Sequence, residues 1–368
     1  MLGQPSLLKS KTDALTPHLI AEVRAEWLDL AVSASEKNTY FLPWFIEASL
    51  HLESMKNVRP LRIYAEKALI GLWLFTEDFG YAKLPVFFRR TALHPHQFSG
   101  TPLVRRGDEQ SFIEGILGWL DASSLKQSFL LLPMMTGEGP LFTAFIDACG
   151  EQGRTWYELT RNQRAALNPI KSARRSAVDH IGKSRRRGLK RRREKLSDIG
   201  PVRFERLRSR DDIDPWLTDF LRLENQGWKK DKGNAILQNP QDIALYGALV
   251  PAAFEHGHLN FSRLVIDDKP IAYAMDLICE DYIYCLKCAH DRAYRKFAPG
   301  ILLEFELLRE YDNLDKDYHI DTCAAPDNAM LNDLYPDRKP YVTLAIARKN
   351  AFYARQLQLI KFLKRKMG

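Results

Sequence analysis

Six residues of the sequence, RKFAPG at 295–300, lie where a strand-like segment gives way to a helix-like one. Arg295 and Lys296 bring positive charge, and the small residues after them leave the backbone accessible. The first turn of a helix has unpaired amide groups and a positive dipole end, so phosphate groups bind there readily. Pro299 and Gly300 also suit an ordinary helix start, so this segment predicts either a phosphate-binding turn or a simple structural one.

Metal and thiol chemistry finds little support in the sequence. Cys285 and Cys288 form a single pair inside a predicted strand, where residues three apart point to opposite faces. His94 and His96 have no third candidate ligand nearby, and the chain has no Walker or dinucleotide-binding glycine pattern. The five cysteines are irregularly spaced and predict no disulfide framework. We therefore expect no metal site.

The net charge of +8 is concentrated in two segments. Residues 171–195 contain twelve Lys or Arg and two acids, and residues 338–368 contain nine Lys or Arg and no acid. These segments carry +10 and +9, so the rest of the chain has a net charge of −11. The protein is therefore an acidic body with two basic segments.

The first basic segment has more than one interpretation. Nine of the thirteen residues 183–195 (KSRRRGLKRRREK) are Lys or Arg, which suffices for non-specific nucleic-acid binding. No aromatic residues are interleaved for base stacking. The same charge could bind acidic lipid, a diphosphate-linked glycan carrier or the phosphates of a coenzyme.

Two successive α/β patterns must position these groups, since 368 residues suffice for two domains. In the first 160 residues, helical and strand-like spacings alternate, which predicts a domain of its own. The second pattern has a strand (202–209), two helices (214–228 and 240–257), a three-strand meander (258–290), the Pro299 helix and a parallel strand (318–323). Residues 341–349 are predicted to close this second sheet.

The second α/β pattern resembles a known family. Four stretches occur in the order seen in the CelD-like, cellulose-biosynthesis-associated acetyltransferase domain of the GNAT superfamily: SRRRGLKRRREKLSDIGPVRFERL, LENQGWKKDKGNAI, DDKPIAYAMDL and HDRAYRKFAPGILLEFELL. That branch is related to the Fem-type transferases, which have tandem GNAT-like halves. The resemblance covers residues 170–346 well and 20–168 weakly. It implies an α/β fold of tandem GNAT-like domains with mixed, mainly antiparallel sheets.

The resemblance also implies a coenzyme site. The family pattern Q/R-x-x-G-x-G/A corresponds to Arg295, Ala298 and Gly300, with Ala298 in place of the first glycine. An acyl-CoA, acetyl-CoA or another, would be the co-substrate, without a metal. The predicted coenzyme-binding residues are Ala289, His290, Arg295, Lys296, Phe297, Ala298, Gly300 and Ile301.

Acyl transfer from a thioester needs a base for the acceptor amine and donors for an oxyanion. The oxyanion donor would be a backbone amide near Ala289 or His290. The candidate bases are Asp321, His290, Asp276 and Asp291, each of which could also be a turn cap or a surface carboxylate. Glu224, Trp228 and Lys229 match the stretch that lies on the acceptor side in this family, or they end a helix.

The expected activity is acyl-CoA-dependent N-acyltransfer to an amine of a sugar, a polysaccharide precursor or a small molecule. The alternative is a tRNA-dependent aminoacyl transferase of the Fem type, or a nucleic-acid-binding protein that uses residues 171–195. The expected domains are 1–168 (degenerate, on the acceptor side), 169–200 (basic and helical), 201–346 (the acyltransferase) and 347–368 (a basic amphipathic helix). One coenzyme site per chain is expected, in the second half.

The apolar runs 68–75 and 129–135 are far shorter than the roughly 20 residues that span a bilayer, so a cytoplasmic protein is expected. In residues 347–368, apolar side chains at helical spacing accompany Arg and Lys, without acids. That helix is predicted either to pack on the domain or to lie on an anionic inner membrane surface.

Overall fold

The structure, a computed structural model, describes residues 8–123, 127–168, 178–226, 233–311 and 318–367. Its strands are β1 Leu8–Thr12, β2 Arg59–Ala65, β3 Ala68–Tyr81, β4 Leu84–Thr91, β5 Leu103–Val104, β6 Gln127–Thr136, β7 Trp156–Leu167, β8 Val202–Arg206, β9 Leu259–Ile266, β10 Lys269–Cys279, β11 Tyr282–His290, β12 His319–Asp321 and β13 Asp337–Ala347. Its helices are α1 Pro17–Ser33, α2 Pro43–Ser49, α3 Glu109–Ala122, α4 Pro140–Glu151, α5 Lys183–Ser197, α6 Ile213–Glu224, α7 Pro240–Glu255, α8 Pro299–Tyr311, α9 Ala329–Leu334 and α10 Ala351–Met367. The chain divides into two compact units, residues 1–163 with 340–368, and residues 164–339.

The first unit contains a mixed sheet. Strands β1 to β4 pair antiparallel in chain order, β4 pairs in parallel with β6, and β6 pairs antiparallel with β13. Helix α3 places Phe112, Ile116 and Leu120 on one side, at helical spacing, and all three are buried. They pack with apolar residues of β2, β3 and β6 in one continuous core.

The last strand, β13, belongs to the first unit. Its residues 341–347 pair with Phe129–Thr136 of β6, which differs from the prediction that 341–349 closes the second sheet. Val342, Leu344 and Ile346 enter the core beneath α3, and Ala345 and Ala347 enter a second core on the other face. Apolar residues on both faces of a strand indicate that it is buried on both sides. They do not indicate which neighbouring strand it pairs with.

The second unit has the predicted order of elements. Strand β8 is followed by α6 and α7, then by the antiparallel meander β9–β10–β11, then by α8 and by β12. β12 runs parallel to β11, and the end of β7, residues 166–167, pairs antiparallel with β12. The predicted mixed, mainly antiparallel α/β architecture is confirmed. None of the helices among the described residues is long and apolar enough to cross a membrane.

Each of the two basic segments contains a helix, α5 in the first and α10 in the second. Helix α5 is anchored in the second unit by Leu189 and Leu196, which are buried against α8 and the sheet. Helix α10 packs on the first unit through Leu357 and Ile360, both fully buried beside Phe88 of β4. Each basic helix therefore uses one narrow apolar stripe for packing and leaves most of its cations exposed.

The close approach of α3 to β3 generates a prediction about stability. A Cβ at Gly71 would lie 2.0 Å from the buried ring of Phe112, so Gly71→Ala should overpack this core and lower the free energy of unfolding by about 1–3 kcal/mol. At Gly118 on α3 a Cβ meets no atom of the described chain within 4 Å. There Gly118→Ala should stabilise the helix by about 0.5–1 kcal/mol. Urea denaturation of both variants checks the pair, and equal effects of the two substitutions would contradict it.

Candidate functional site

Strands β11 and β12 of the second unit run side by side for three residue pairs and then separate. β12 pairs with β11 only from Tyr282 to Tyr284. β11 continues to His290, and its other edge stays paired with β10 over that whole length. Among the strands that the structure describes, none pairs with the outer edge of residues 285–290. An extended ligand could add main-chain hydrogen bonds at a sheet edge of this kind.

The chain leaves β11 through a tight turn. A 3₁₀ segment, Arg292–Phe297, begins at Asp291, whose carboxylate accepts a hydrogen bond from Ala293 N–H (2.9 Å). It ends at Ala298, which has a left-handed conformation (φ 53°, ψ 57°). Helix α8 then begins at Pro299, as predicted. A residue with a Cβ in this conformation costs roughly 1 kcal/mol, so the turn holds Ala298 under mild strain.

Gly300 lies opposite His290 across an opening. A Cβ at position 300 would be 3.8 Å from His290 Nδ1 and would meet no other described atom within 4 Å. Gly300 is absent from the residues with a left-handed backbone. Neither the backbone conformation nor close packing therefore requires glycine here. The missing side chain leaves a space of about the size of a methyl group between the first turn of α8 and His290.

Positive charge surrounds this opening. Arg295 and Lys296 are exposed. Burial lowers the pKa of His290, and the neighbouring Arg295 lowers it further, so its imidazole is neutral at pH 7. An anion at the opening would meet the helix dipole, the guanidinium of Arg295 and a ring that can accept a proton.

Residues 183–324, from the first residue of α5 to just beyond β12, match a protein family described as acetyltransferase (GNAT) domain. This stretch is therefore similar to GNAT-type acetyltransferase domains. The match includes the separating strands, the 3₁₀ turn and α8, so the predicted GNAT fold is confirmed for the region that holds the opening.

Solved structures with a similar fold cover nearly the whole chain. FemX matches with a TM-score of 0.58 at 10% identity, over 95% of this chain and 100% of FemX. A protein of unknown function from Bacteroides thetaiotaomicron matches with a TM-score of 0.57 at 12% identity, over 92% of this chain and 99% of that one. The C-terminal domain of a putative lysylphosphatidylglycerol synthetase from Agrobacterium fabrum gives 0.54 at 12% identity, over 92% and 95%. At these identities the likeness concerns the fold alone. Comparison with curated protein sequences finds no match.

The other predicted coenzyme residues of the matched region have different degrees of exposure. Ala289 is buried on β11 opposite Tyr273 of β10. Phe297 is buried in the core of the second unit, and Ile301 packs partly against the same core. Phe297 therefore anchors the turn, and only the main chain of these three residues is suited to contact a ligand.

Two of the predicted bases are engaged in structural contacts. Burial raises the pKa of Asp291, but the ion pair with Lys269 (2.8 Å) and the bond from Ala293 N–H outweigh it, so the pKa lies below its usual value. Asp321 is buried, accepts a hydrogen bond from Cys323 N–H (2.9 Å) and lies 3.9 Å from the guanidinium of Arg164. The lowered pKa makes Asp291 a weak proton acceptor.

Asp276 lies inside a buried polar network. It is 2% exposed and accepts hydrogen bonds from Asn260 Nδ2 (3.2 Å) and the Tyr311 hydroxyl (3.1 Å). Burial raises its pKa to about 6, although the hydrogen bond from Tyr311 and the charge of Arg206 oppose the shift. Because protein groups enclose the carboxylate, Asp276 is suited to hold a proton inside the domain and not to take one from a ligand.

Sequence reasoning missed the second acid of this network, Glu304 on α8. Its carboxylate is buried and accepts a hydrogen bond from the Tyr335 hydroxyl (3.0 Å). Burial and repulsion from Asp276 raise its pKa to about 8. A signal was present in the sequence, because Glu304 falls on the same helical face as the buried Leu307, Leu308 and Tyr311.

The predicted acceptor-side residues are only partly described. Glu224, at the end of α6, is buried and accepts a hydrogen bond from Ile236 N–H (3.0 Å). This contact fixes the chain after the helix. Trp228 and Lys229 lie outside the described residues.

The pair His94–His96 has a structural role in the first unit. His94 Nδ1 accepts a hydrogen bond from His96 N–H (3.2 Å), so Nε2 carries the proton and donates to Ser49 Oγ (3.0 Å). The Ser49 hydroxyl donates in turn to the Phe45 carbonyl (2.7 Å), so this pair does not activate the serine. Among the described residues, no three His, Cys, Asp or Glu side chains are grouped as metal ligands.

The buried acids predict a particular pH dependence of stability. Their pKa values are raised in the folded state, so the fold binds protons that the unfolded chain releases, and the contribution of these two acids to the free energy of unfolding should fall as pH rises from about 4 to about 8. Glu304→Gln keeps the shape and removes one titrating group. This variant should lose less stability than wild type between pH 5 and pH 8.5 in urea denaturation. Glu255→Gln, at an exposed carboxylate of α7, is the control and should follow wild type. A Glu304→Gln variant with the same pH dependence as wild type would contradict the prediction.

Proposed function

We propose that the protein is an acyl-CoA-dependent N-acyltransferase whose coenzyme site lies at the end of β11 and the start of α8. The acceptor is an amine of a sugar, a polysaccharide precursor or a small molecule, in keeping with the resemblance to the CelD-like acetyltransferases. Acyl-CoA, with acetyl-CoA as the first candidate, would supply the acyl thioester. The protein would act in the cytoplasm.

The observation that carries the proposal is the place where Gly300 and His290 meet, just beyond the point at which β12 separates from β11. Gly300 keeps the first turn of α8 without a side chain, so that a phosphate could approach its amide groups, and Arg295 adds positive charge nearby. The outer edge of residues 285–290 offers main-chain groups spaced for an amide-containing chain such as pantetheine. Both features suit the coenzyme, and they meet at one point of the GNAT domain.

Of the four candidate bases, His290 fits proton transfer best. Its ring borders the opening and is kept neutral by burial and by Arg295. Asp291 and Asp321 are held by cations, and Asp276 is enclosed. We assign His290 the role of accepting a proton from the acceptor amine, and the main-chain amide at Ala289 or His290 the role of an oxyanion donor.

Aminoacyl transfer is the second candidate function. The solved structures of similar fold include FemX and a domain of a putative lysylphosphatidylglycerol synthetase, and α5 carries the dense positive charge that an RNA partner needs. The two functions differ in their donor, since one uses a coenzyme thioester and the other an aminoacyl-tRNA.

The test is binding and turnover of acetyl-CoA by nuclease-treated protein. Wild type should bind acetyl-CoA in calorimetry with one site per chain and release free thiol when an amino sugar or a small amine is added. Arg295→Glu combined with Gly300→Val should weaken binding by about a hundred-fold or more, because it reverses a charge and fills the opening.

The matched control changes a glycine and an arginine elsewhere. Gly118→Val on α3 combined with Arg106→Glu, both exposed in the first unit, should bind acetyl-CoA as wild type does. Unchanged affinity in the double variant at 295 and 300 would overturn the site. Turnover with aminoacyl-tRNA and none with acetyl-CoA would favour the second function instead.

We further propose that α10 attaches the protein to an anionic membrane surface. Leu357 and Ile360 pack on the sheet, whereas Phe352, Leu359 and Phe362 are exposed at spacings of seven and three residues. These three fall on one outward stripe, and the flanking cations lack acidic neighbours within the helix. An exposed apolar stripe with surrounding cations suits the interface of an anionic bilayer.

Point variants test this placement better than truncation, because removing α10 would expose the sheet beneath Leu357. Wild type should float with vesicles of phosphatidylglycerol and phosphatidylcholine and should remain behind with phosphatidylcholine alone. Phe352→Ser with Phe362→Ser should lower recovery at least several-fold, whereas Gln358→Ser should not. Equal recovery of all three proteins would remove the membrane role.

A further inference from the structure

A cavity of about 330 Å³ lies between the basic helix α5 and the outer face of α8, within the second unit. Its floor is apolar and includes Leu189 of α5 and Leu302 and Phe305 of α8. Leu189 and Leu302 are buried and Phe305 is half-buried. A volume at the lower end of the range for small-ligand sites, about 300–1,000 Å³, suits one moiety of a larger molecule.

The rim of this cavity is cationic. Arg186, Lys190 and Arg193 of α5 and Arg309 of α8 line it, together with one carboxylate, Glu306. Glu306 is paired with both Arg193 and Arg309 (3.2 Å to the latter). The lining therefore has an excess of three positive charges, which complements a dianionic group such as a phosphate monoester.

The two helices that line the cavity also contact or follow the turn at 295–300. Helix α5 contacts the 3₁₀ segment Arg292–Phe297, and Phe297 shares one core cluster with Leu189 and Leu302. Along α8, Phe305 is seven residues beyond Ala298, a rise of about 10 Å. A coenzyme whose pyrophosphate lies on this turn would extend its adenosine end over about this distance.

We propose that this cavity binds the 3′-phosphorylated adenosine of acyl-CoA, an inference that rests on the function proposed above. The adenine would lie on Leu302 and Phe305, and Arg186 and Lys190 would bind the 3′-phosphate. The dense charge of α5 then has a defined ligand, which belongs to the coenzyme. This assignment takes the place of nucleic acid and lipid, the other ligands considered for the basic segment that contains α5.

Dephospho-CoA, which lacks only the 3′-phosphate, is the probe. In calorimetry wild type should bind CoA at least about ten-fold more tightly than dephospho-CoA. Arg186→Ala with Lys190→Ala should reduce this ratio to about one by weakening CoA binding, with the affinity for dephospho-CoA nearly unchanged. Arg187→Ala with Arg191→Ala removes the same charge from exposed positions of the same helix and should keep the ratio.

The apolar floor is tested separately. Phe305→Ala should weaken CoA and dephospho-CoA alike and leave the affinity for 4′-phosphopantetheine, which lacks adenosine, as in wild type. Circular dichroism is the control that each variant is folded.

Three outcomes would overturn the inference. Equal binding of CoA and dephospho-CoA by wild type would exclude a 3′-phosphate site while leaving the acyltransferase proposal intact. If the 186/190 and 187/191 double variants lost the same amount of CoA affinity, general attraction to a basic helix would explain the binding and the cavity would not. A wild-type protein that binds no CoA at all would remove both proposals.

Discussion

The separation of β12 from β11 is the constraint on which the candidate site depends. A strand inside a sheet has both edges paired, and an unpaired edge leaves polar groups that need water or a ligand. β11 is paired with β10 along its whole length and with β12 over three residues only. Beyond Tyr284, strand pairing therefore holds β11 from the β10 side only, and this pairing fixes the position of the residues that lead into the turn.

The turn that follows β11 is held with similar firmness. Asp291 caps its start and is bound to Lys269, and Phe297 is buried at its end. Ala298 is kept in a left-handed conformation between these anchors, and its carbonyl accepts hydrogen bonds from Ile301 and Leu302. The strain at Ala298 persists because the surrounding contacts determine the path of the chain. A turn fixed in advance loses little entropy when it binds a ligand, which is the condition for a preorganised site.

Local features of this fold follow from local sequence, whereas the pairing of one strand with another does not. The apolar spacing of α3, the proline at the start of α8 and the short turns of the meander each act within about ten residues, so they could be predicted. The partner of β13 depends on surfaces more than a hundred residues away, because Val342 and Ala345 suit any two apolar faces. The opening beside Gly300 was predictable from its residue types. The burial of Glu304 was hidden, because a glutamate on a helix is ordinarily exposed and only its position among Leu307, Leu308 and Tyr311 marked it.

The charge of α5 links the architecture of the second unit to its binding properties. The helix is held by Leu189 and Leu196 and by ion pairs such as Arg193 with Glu306, while most of its other cations repel one another at the surface. Repulsion of this kind destabilises the compact state, and it is relieved by any polyanion that binds the folded form. Because α5 packs on α8 and contacts the turn before it, a ligand that neutralised its charge would also stabilise the elements around the opening. The basic helix belongs to the domain core through Leu189 and Leu196 and to the surface through its cations.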